Sequence, residues 1–363
     1  MRGMDTIVIG GGQSGLAAAR ALREAGLTPV VLEAGEHPTG SWPSYYDSLT
    51  LFSPARYSAL PGAPFDGDPD RYPHRDEVVA YLQRYAARLD ADIRTGASVT
   101  AVRADSGGGF IVELADGTAL PAPSVIAASG SFGNPHLPLL PGQETFTGQI
   151  LHAAAYQTPA PHAGKRVVVV GAGNSAVQIA HDLADVAAVT LATRAPIRFV
   201  DQRPLGRDLH FWFAITGFDR LPARRAEAPP TVPVLDDGRY RRALADGRID
   251  RKEMFTGFDT NQVIWADGAR EHVDAVVFAT GYRLHLPYLH ALGGVLDSSG
   301  RPRQRGGISL THPGLGFLGL EWQRTPASNT LRGVGRDAAH LARHLARHLK
   351  ARRSTRTRAR AWR

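Results

Sequence analysis

The sequence predicts an α/β protein with two doubly wound domains, the second inserted into the first. Three observations carry this prediction. An apolar strand, a glycine-rich turn, a helix and a second strand follow one another between Asp5 and Glu33. The same succession begins again at Arg166 and ends at Arg194. Strand and helix patterns resume from Leu284, as expected for a chain that returns to its first domain. Both domains are therefore predicted to be Rossmann-like and to bind a dinucleotide.

The first turn has glycines at the spacing that dinucleotide binding requires. Gly10, Gly12 and Gly15 follow the apolar strand Ile7–Ile9 and open a helix predicted over Ser14–Ala25. The glycines allow a tight turn, an approach of the pyrophosphate to bare backbone, and close packing of helix on strand. Free N–H groups at the helix N-terminus attract the phosphates. An ordinary glycine-rich turn is the alternative, but the complete strand–turn–helix–strand context favours the dinucleotide site.

The two units differ in the residue that ends their second strand. Glu33 stands 18 residues after Gly15, where a carboxylate accepts hydrogen bonds from ribose hydroxyls and repels a 2′-phosphate. The first site therefore suits FAD or NAD. The second turn, Gly171–Ala176, is followed 18 residues later by Arg194. A guanidinium pairs with a 2′-phosphate, so the second site favours NADP unless Arg194 is merely a solvated residue at a strand end.

Composition excludes several classes of protein. The 363 residues include no cysteine, so disulfides, thiolate metal sites and redox-active Cys pairs are ruled out. His340, His344 and His348 recur every four residues, but without acid or thiol partners nearby they do not predict a metal site. The chain has neither a continuous apolar stretch of membrane-spanning length nor a secretory-type N-terminus. We therefore expect a cytoplasmic protein without membrane association.

The net charge of +8 comes mainly from the end of the chain. Residues Lys350–Arg363 include seven basic side chains and no acidic ones, whereas the rest of the chain has 35 basic and 34 acidic residues. This pattern predicts a disordered basic tail from 350 to 363 on a nearly neutral body. Nucleic-acid binding is accordingly not expected.

With both units described, the sequence resembles the flavin-containing monooxygenase family over most of its length. Gly10–Gly15 is similar to the FAD fingerprint of that family, and Gly40–Trp42 resembles its Gly-x-Trp flavin loop. The eleven residues Phe146–Tyr156 match the signature between its two domains. Gly171–Ala176 together with Arg194 resembles its NADPH fingerprint.

The same resemblance implies the domain organisation. Asp274–Tyr282 is similar to the segment that leads from the NADPH domain back to the FAD domain. We predict the first part of the FAD-binding domain at residues 1–145, the NADPH-binding domain at 146–282 and the return to the FAD-binding domain at 283–349. A helix from about Arg332 to Leu349 should bury Leu341, Leu345 and Leu349.

Site residues are predicted for both cofactors. Those expected at FAD are Gly10, Gly12, Gln13, Ser14, Gly15, Glu33, Ala34, Ser41, Trp42, Ser129 and Gly130. Those expected at NADPH are Gly171, Gly173, Asn174, Ser175, Ala176, Arg194, Ala279, Thr280, Gly281 and Tyr282. No metal ligand is predicted.

The resemblance also implies a reaction. NADPH reduces FAD by hydride transfer, reduced flavin takes up O₂ as a C4a-(hydro)peroxide, and one oxygen atom passes to a nucleophilic nitrogen or sulfur. Tyr156 and Gln157 stand where Baeyer–Villiger members have Trp-Pro, which favours the heteroatom-oxidising branch. Phe52 stands where many members of that branch have Asn. Phe52 and Gln323 are the candidates for catalytic, flavin-proximal positions, whereas His152 and Tyr156 are expected to hold the domain junction.

Three alternatives stay open on the sequence. They are an FAD-dependent NADPH oxidase or reductase without substrate oxygenation, a Baeyer–Villiger oxygenase of carbonyl compounds, and a non-catalytic nucleotide-binding protein. The expected partners are a small-molecule substrate and O₂. The oligomeric state is open, with a homodimer as one option, because one sequence does not show which surfaces meet.

Overall fold

The architecture comes from a computed structural model, which describes residues 4–222 and 233–361, with side chains as far as residue 354. The α-helices of these ranges, α1 to α6 in chain order, are Gln13–Glu24, Arg75–Ala87, Asn174–Leu183, Leu209–Thr216, Arg239–Ala245 and Leu331–Ala361. The strands, β1 to β20 in chain order, are Thr6–Ile9, Pro29–Leu32, Asp92–Arg94, Val99–Ala104, Phe110–Leu114, Ala119–Ala122, Ser124–Ala127, Gln149–His152, Arg166–Val170, Ala188–Thr193, Phe199–Asp201, Val234–Asp236, Ile249–Glu253, Gly257–Asp259, Gln262–Ile264, Arg270–His272, Ala275–Phe278, Gln304–Arg305, Ile308–Ser309 and Leu315–Phe317.

The first large sheet is built from the two ends of the chain. Its strand order is β18-β19-β20-β7-β1-β2-β3, and β1 is paired in parallel with both β2 and β7. Each of β1, β2 and β7 is buried along its whole length, which explains why their sequences are continuous apolar runs rather than alternating ones. The strand β20 adds in parallel to β7, so the last third of the chain completes the sheet that the first third began.

The second large sheet comes entirely from the middle of the chain. Its order is β13-β10-β9-β17-β8, and every pair in it is parallel. Its central strand, Arg166–Val170, is almost pure valine, and residues 167–170 are buried. The predicted fold class, with one Rossmann-like domain inserted into another, is therefore confirmed. The boundaries at residues 145 and 282 stay predictions.

The core of the first domain is the contact between α1 and α6. The inward face of α1 is mainly alanine, which lets α6 approach closely. Leu341 and Leu345 are completely buried and Leu349 is nearly so, as the sequence predicts. A Cβ on Gly316 of β20 would lie 2.7 Å from a methyl carbon of Leu341, so α6 also lies tightly on the sheet. This packing fixes the start of α6 beside the start of α1.

Three smaller sheets lie outside the two large sheets. The antiparallel strands β4, β5 and β6 form an excursion between β3 and β7, and β14, β15 and β16 form another before β17. The third sheet pairs β11 with β12, and β11 opens a segment that leaves the second domain after β10. That segment also contains α4, an aromatic helix that sequence reasoning did not identify.

The basic tail differs from its prediction. The structure continues α6 to Ala361, so residues 350–361 are helical rather than disordered. Arginine, lysine and alanine favour helix once a packed helix precedes them. Arg352 also donates to the carbonyls of Pro123 and Gly107, and Arg353 pairs with the carboxylate of Asp5. No helix in the described ranges is long and apolar enough to cross a membrane.

Leu345→Ala tests the packing of α6 on α1. Leu345 is fully buried in the core of the first domain, so its truncation should lower the free energy of unfolding by about 2–5 kcal/mol. Urea denaturation followed by circular dichroism measures the change. Leu310→Ala is the matched control, because Leu310 is 59% exposed and its truncation should change stability by less than ~0.5 kcal/mol. Equal effects of the two substitutions would contradict the assignment of this interface as the core.

Candidate cofactor cleft and active site

A cleft of about 560 Å³ opens where the carboxyl ends of strands from both large sheets meet. This is the edge at which open parallel sheets bind their ligands. The predicted site residues that line it are Gly10, Gly12, Gln13, Ser14, Glu33, Ala34, Ser41, Trp42, Phe52, Ser129, Gly130, Asn174, Ser175 and Tyr282. Those outside the lining are Gly15, Gly171, Gly173, Ala176, Arg194, Ala279, Thr280, Gly281 and Gln323.

The first turn is a bare backbone cradle at the N-terminus of α1. Gly10 has φ of +103°, and a Cβ there would lie 2.7 Å from the carbonyl oxygen of Ala128. A Cβ on Gly15 would lie 1.8 Å from the carbonyl oxygen of Gly10, so only glycine lets the helix approach the strand this closely. Gly12 caps α1, and no side chain among the described residues occupies the free N–H groups of its first turn. The cradle therefore fits a pyrophosphate.

Glu33 is held rigidly at the wall of the cleft. Its Oε2 accepts a hydrogen bond from the N–H of Gly11 at 2.5 Å, and its Oε1 accepts one from the N–H of Gly35 at 2.8 Å. The side chain is only 8% exposed. Each carboxylate oxygen retains a lone pair after these bonds. Glu33 can therefore accept from ribose hydroxyls without changing its position.

The predicted flavin loop is tied to the same helix start. Trp42 donates from Nε1 to Oε1 of Gln13 at 3.2 Å, and Gln13 donates from Nε2 to the carbonyl of Asn329 at 2.8 Å. Gly12 and Gly40 approach closely, since a Cβ on Gly40 would lie 2.9 Å from the Cα of Gly12. One glutamine thus links the loop after β2 to the residues that precede α6.

The second turn repeats the first cradle. Gly171 has φ of +141°, and a Cβ there would lie 2.6 Å from the carbonyl oxygen of Ala279. Ala279 follows β17 as Ala128 follows β7, so the two turns have the same relation to their sheets. Gly173 caps α3, and among the described residues nothing lies within 4 Å of a Cβ built on it. The space in front of this helix start also fits phosphate groups.

Arg194 lies at the end of β10 with an exposed side chain. It forms no hydrogen bond within the described part of the chain. One other cationic group lies near it: the guanidinium of Arg283, which contacts Nε2 of His136 at 3.0 Å. Partial burial, followed by the positive charges of Arg283 and Arg194, lowers the pKa of His136. The end of the second sheet therefore has a concentrated positive charge, in contrast to the carboxylate at the end of β2.

His152 and Tyr156 are buried and hydrogen-bonded near the start of the second domain. Nδ1 of His152 accepts from the N–H of Ala154 at 3.0 Å, and Nε2 donates to the carbonyl of Gly281 at 2.9 Å. Burial lowers the pKa of His152, in keeping with a neutral ring that has one donor and one acceptor. Tyr156 is buried and donates to Asp182 of α3 at 2.8 Å. These hydrogen bonds all lie within the second domain, and the junction role expected for the two residues stays a prediction.

A chain of aromatic rings runs along the cleft between the domains. Trp42 and Tyr45 meet edge to face at 5.5 Å, Tyr45 and Phe132 at 5.6 Å, and Phe132 and Tyr282 at 5.0 Å. Phe132 is 40% exposed, and it belongs to the linker between the two large sheets. Burial raises the pKa of Tyr282 and so keeps its hydroxyl protonated. This wall is aromatic and apolar and suits contact with planar rings.

The two catalytic candidates have different environments. Phe52 lines the cleft, and its ring is 37% exposed. Gln323 is buried instead, donating from Nε2 to the carbonyl of Phe317 at 2.9 Å and accepting at Oε1 from the N–H of Leu320 at 3.2 Å. Its amide braces the turn after β20. This geometry gives no support to a catalytic role for Gln323.

Sequence reasoning missed the contribution of the C-terminal segment to the cleft. Residues 329–332 line it at the start of α6, and Gly319 approaches α1 so closely that a Cβ would lie 2.2 Å from Oγ of Ser14. Arg332 is held by Asp219 through two hydrogen bonds of 2.9 and 3.1 Å. The sequence predicts the start of this helix within a residue, at about Arg332 against Leu331, but no local signal shows that this start faces the cleft.

Two phosphate cradles on one cleft define a two-dinucleotide flavoprotein. A family model for pyridine nucleotide-disulphide oxidoreductases matches residues 7–207. A flavin-containing monooxygenase from Stenotrophomonas maltophilia is 34% identical, with a TM-score of 0.84 over 96% of this chain and 100% of that one. Indole-3-pyruvate monooxygenase YUCCA1 from Oryza sativa subsp. japonica is 31% identical over 317 residues, or 77% of each chain. The uncharacterized oxidoreductase CzcO from Bacillus subtilis is 29% identical over 348 residues, covering 93% of this chain and 98% of the relative.

The chain therefore belongs to the flavin-containing monooxygenase family. It is an FAD-dependent oxidoreductase, and the prediction of FAD and NADPH as cofactors is confirmed. The absence of cysteine from the sequence rules out dithiol chemistry by its own residues, despite the name of the wider family.

Gly15→Ala tests the first cradle. The new methyl group would collide with the carbonyl of Gly10, so the start of α1 must move away from β1. We expect purified protein to contain less than a tenth of the wild-type flavin, measured by absorbance after denaturation. Gly293→Ala is the control, because among the described residues nothing lies within 4 Å of a Cβ at that position. Wild-type flavin content in Gly15→Ala would contradict the proposed cradle.

Proposed function

We propose that the protein is an NADPH-dependent FAD monooxygenase that oxygenates a nucleophilic nitrogen or sulfur atom of a small molecule. The observation that carries the proposal is the opposite charge at two equivalent strand ends. Glu33 directly follows β2 in the first unit, and Arg194 directly follows β10 in the second unit. The first suits the unphosphorylated ribose of FAD, and the second suits the 2′-phosphate of NADPH.

The residues present fit both cofactors. FAD, when bound, accepts electrons from the nicotinamide and activates O₂. The first-turn N–H groups of α1 would hold its pyrophosphate, while Glu33 would hold its ribose and Trp42 would bound the cleft beside it. The first turn of α3, at Asn174 and Ser175, would hold the pyrophosphate of NADPH. The aromatic wall then excludes water between the two rings.

The few charges in the cleft support transfer of oxygen to an electron-rich atom. Among its described lining residues, Glu33 and Arg332 carry the formal charges. Glu33 is held by backbone N–H groups and Arg332 by Asp219. No pair of carboxylates faces the cleft within the described ranges, and His152 has no free nitrogen. A nucleophilic sulfur or nitrogen needs no acid or base from the protein in order to accept an oxygen atom.

The proposal includes the setting of the protein. We place it in the cytoplasm, with a small-molecule substrate and O₂ as partners, and without nucleic acid or membrane. A homodimer remains one option for the assembly.

The decisive experiment follows the purified FAD-loaded protein during turnover. With NADPH, O₂ and a dialkyl sulfide or tertiary amine, we expect one NADPH oxidised, one O₂ consumed and one sulfoxide or N-oxide formed per turnover. Oxygen electrode, absorbance at the NADPH band and mass spectrometry of the product measure the three quantities. NADPH oxidation that yields only peroxide would instead identify an oxidase. A lactone or ester from a ketone would identify Baeyer–Villiger chemistry, and bound flavin that NADPH does not bleach would identify a non-catalytic binder.

Arg194→Gln tests the preference for NADPH. Loss of one charged hydrogen-bonding partner of the 2′-phosphate should weaken binding by ~1.5–3 kcal/mol, which corresponds to roughly a 10- to 100-fold rise in KM for NADPH. The KM for NADH, which has no such phosphate, should change less than twofold. Steady-state rates with both nucleotides measure this. Arg248→Gln is the control, since Arg248 pairs with Asp185 on an exposed surface of the same domain. Equal changes for NADPH and NADH would contradict the assignment.

A further inference from the structure

A segment of the second domain crosses to the first domain and is fastened there. We define the strap as residues 199–221, which contain β11 and α4 and follow the strand that ends at Thr193. It meets the first domain at two places. One is the ion pair of Asp219 with Arg332 at the start of α6. The other is centred on Asp208, the N-cap of α4, and it lies directly behind Phe52.

Asp208 collects four hydrogen bonds on one carboxylate. Oδ1 accepts from the backbone N–H of His210 at 2.8 Å and from its Nδ1 at 2.8 Å. Oδ2 accepts from the hydroxyl of Tyr72 at 2.5 Å and from Nε2 of Gln202 at 2.8 Å. Burial raises the pKa of Asp208, but hydrogen bonds from His210, Tyr72 and Gln202 outweigh it and leave the pKa below its usual value. The carboxylate is thus charged, and helix capping alone would require only one of its four bonds.

His210 places an aromatic ring behind the cleft. It is 2% exposed and lies between the rings of Phe52, at 6.1 Å and 26°, and Tyr57, at 6.4 Å and 27°. Both of these rings belong to the first domain, whereas His210 belongs to the strap. The bond from Nδ1 to Asp208 orients the imidazole of His210, and the ring of Phe52 lies roughly parallel to it.

Gln202 fastens the backbone of the same phenylalanine. Its Nε2 donates to the carbonyl of Phe52 at 3.0 Å as well as to Asp208. Phe52 is therefore held twice by the strap, at its carbonyl through Gln202 and at its ring through His210. One carboxylate orients both of these side chains. Its other partner, Tyr72, ties the arrangement to the first domain.

We propose that Asp208, Gln202 and His210 are positioning residues that fix Phe52 in the wall of the cleft and thereby set how tightly substrate and O₂ are enclosed beside the flavin. This inference rests on the proposed function. None of the three lines the cleft among the described residues, so they act through Phe52 and not by touching the reacting atoms. Small displacements of groups around a reacting centre change reaction rates strongly. A shift of Phe52 caused by losing these positioning residues should therefore be measurable as a change in rate.

Asp208→Asn is the first test. The amide has one accepting oxygen where the carboxylate has two, so the four donors cannot all be accepted, and either His210 or the pair Tyr72 and Gln202 loses its acceptor. We expect the peroxide released per NADPH to rise roughly tenfold, and the KM for a dialkyl sulfide to rise, while the rate of flavin reduction by NADPH changes less than about twofold. The absorbance and fluorescence of bound FAD should also shift, because the wall beside it moves.

A pair of substitutions at His210 separates ring packing from general loss of structure. His210→Phe keeps a ring between Phe52 and Tyr57 and should retain most of the wild-type coupling. His210→Ala removes the ring and should uncouple as strongly as Asp208→Asn. Asp297→Asn is the matched control. Its carboxylate also accepts several hydrogen bonds, from Ser299 and Arg301, but in a turn outside the cleft lining.

Several outcomes would overturn the inference. It fails if Asp208→Asn releases no more peroxide than Asp297→Asn, or if the two His210 variants behave alike. Should Asp208→Asn not fold, Tyr72→Phe removes one of its four donors and must still raise the peroxide fraction. If the wild-type protein oxygenates neither sulfides nor amines, the proposed function falls by itself. The positioning role of Asp208, Gln202 and His210 is then tested by the absorbance spectrum of FAD bound to the same variants. Spectra identical to the wild-type spectrum would reject that role.

Discussion

The close approach of the α1 N-terminus to the end of β1 is the constraint on which the rest of the site depends. A single methyl group on Gly15 would overlap the carbonyl of Gly10, so the gap between helix and strand is as small as the backbone allows. That gap brings the first free N–H groups of α1 beside Glu33, and Gln13 then ties both the flavin loop and the segment before α6 to the same point. Close backbone packing thus brings three distant parts of the chain into one cleft.

The second domain has the same glycine turn at a helix start, but a different side chain follows the neighbouring strand. Gly171 meets the carbonyl of Ala279 much as Gly10 meets that of Ala128, so both sheets present a helix start at one edge. What differs is the side chain at the neighbouring strand end and the length of the excursion that follows it. In the second unit that excursion is the strap, which reaches back to the first domain at Asp208 and Asp219. The two domains are consequently joined around the cleft by side-chain contacts as well as by their linkers.

Much of this was predictable because it is local in sequence. Buried parallel strands are short apolar runs, so β1, predicted at Ile7–Ile9, was placed within a residue of its observed limits at Thr6–Ile9. The glycine spacing located both helix starts for the same reason. The Leu341–Leu349 stripe followed from helical periodicity. Each of these features depends on contacts that residues three or four apart, or alternate residues, already specify.

The remainder depends on distant contacts. Helix α4 is aromatic on nearly all sides, so it has no apolar stripe by which to recognise it, and its docking partners lie more than a hundred residues earlier. Gln323 looked available because nothing in the sequence shows that Phe317 and Leu320 use both ends of its amide. The basic tail was assigned from its charge, although its residues also favour helix and continue one.

The two-part construction of the first sheet has a consequence for biosynthesis. The cradle for flavin emerges from the ribosome first, but β20, Gly319 and the start of α6, which complete its surroundings, emerge last. The inserted domain has a sheet of its own and all of that sheet's strands in one continuous stretch, so it can fold while the cradle is still unfinished. We therefore expect flavin to bind only after β20 and the start of α6 have been synthesised, because the cleft is incomplete without them.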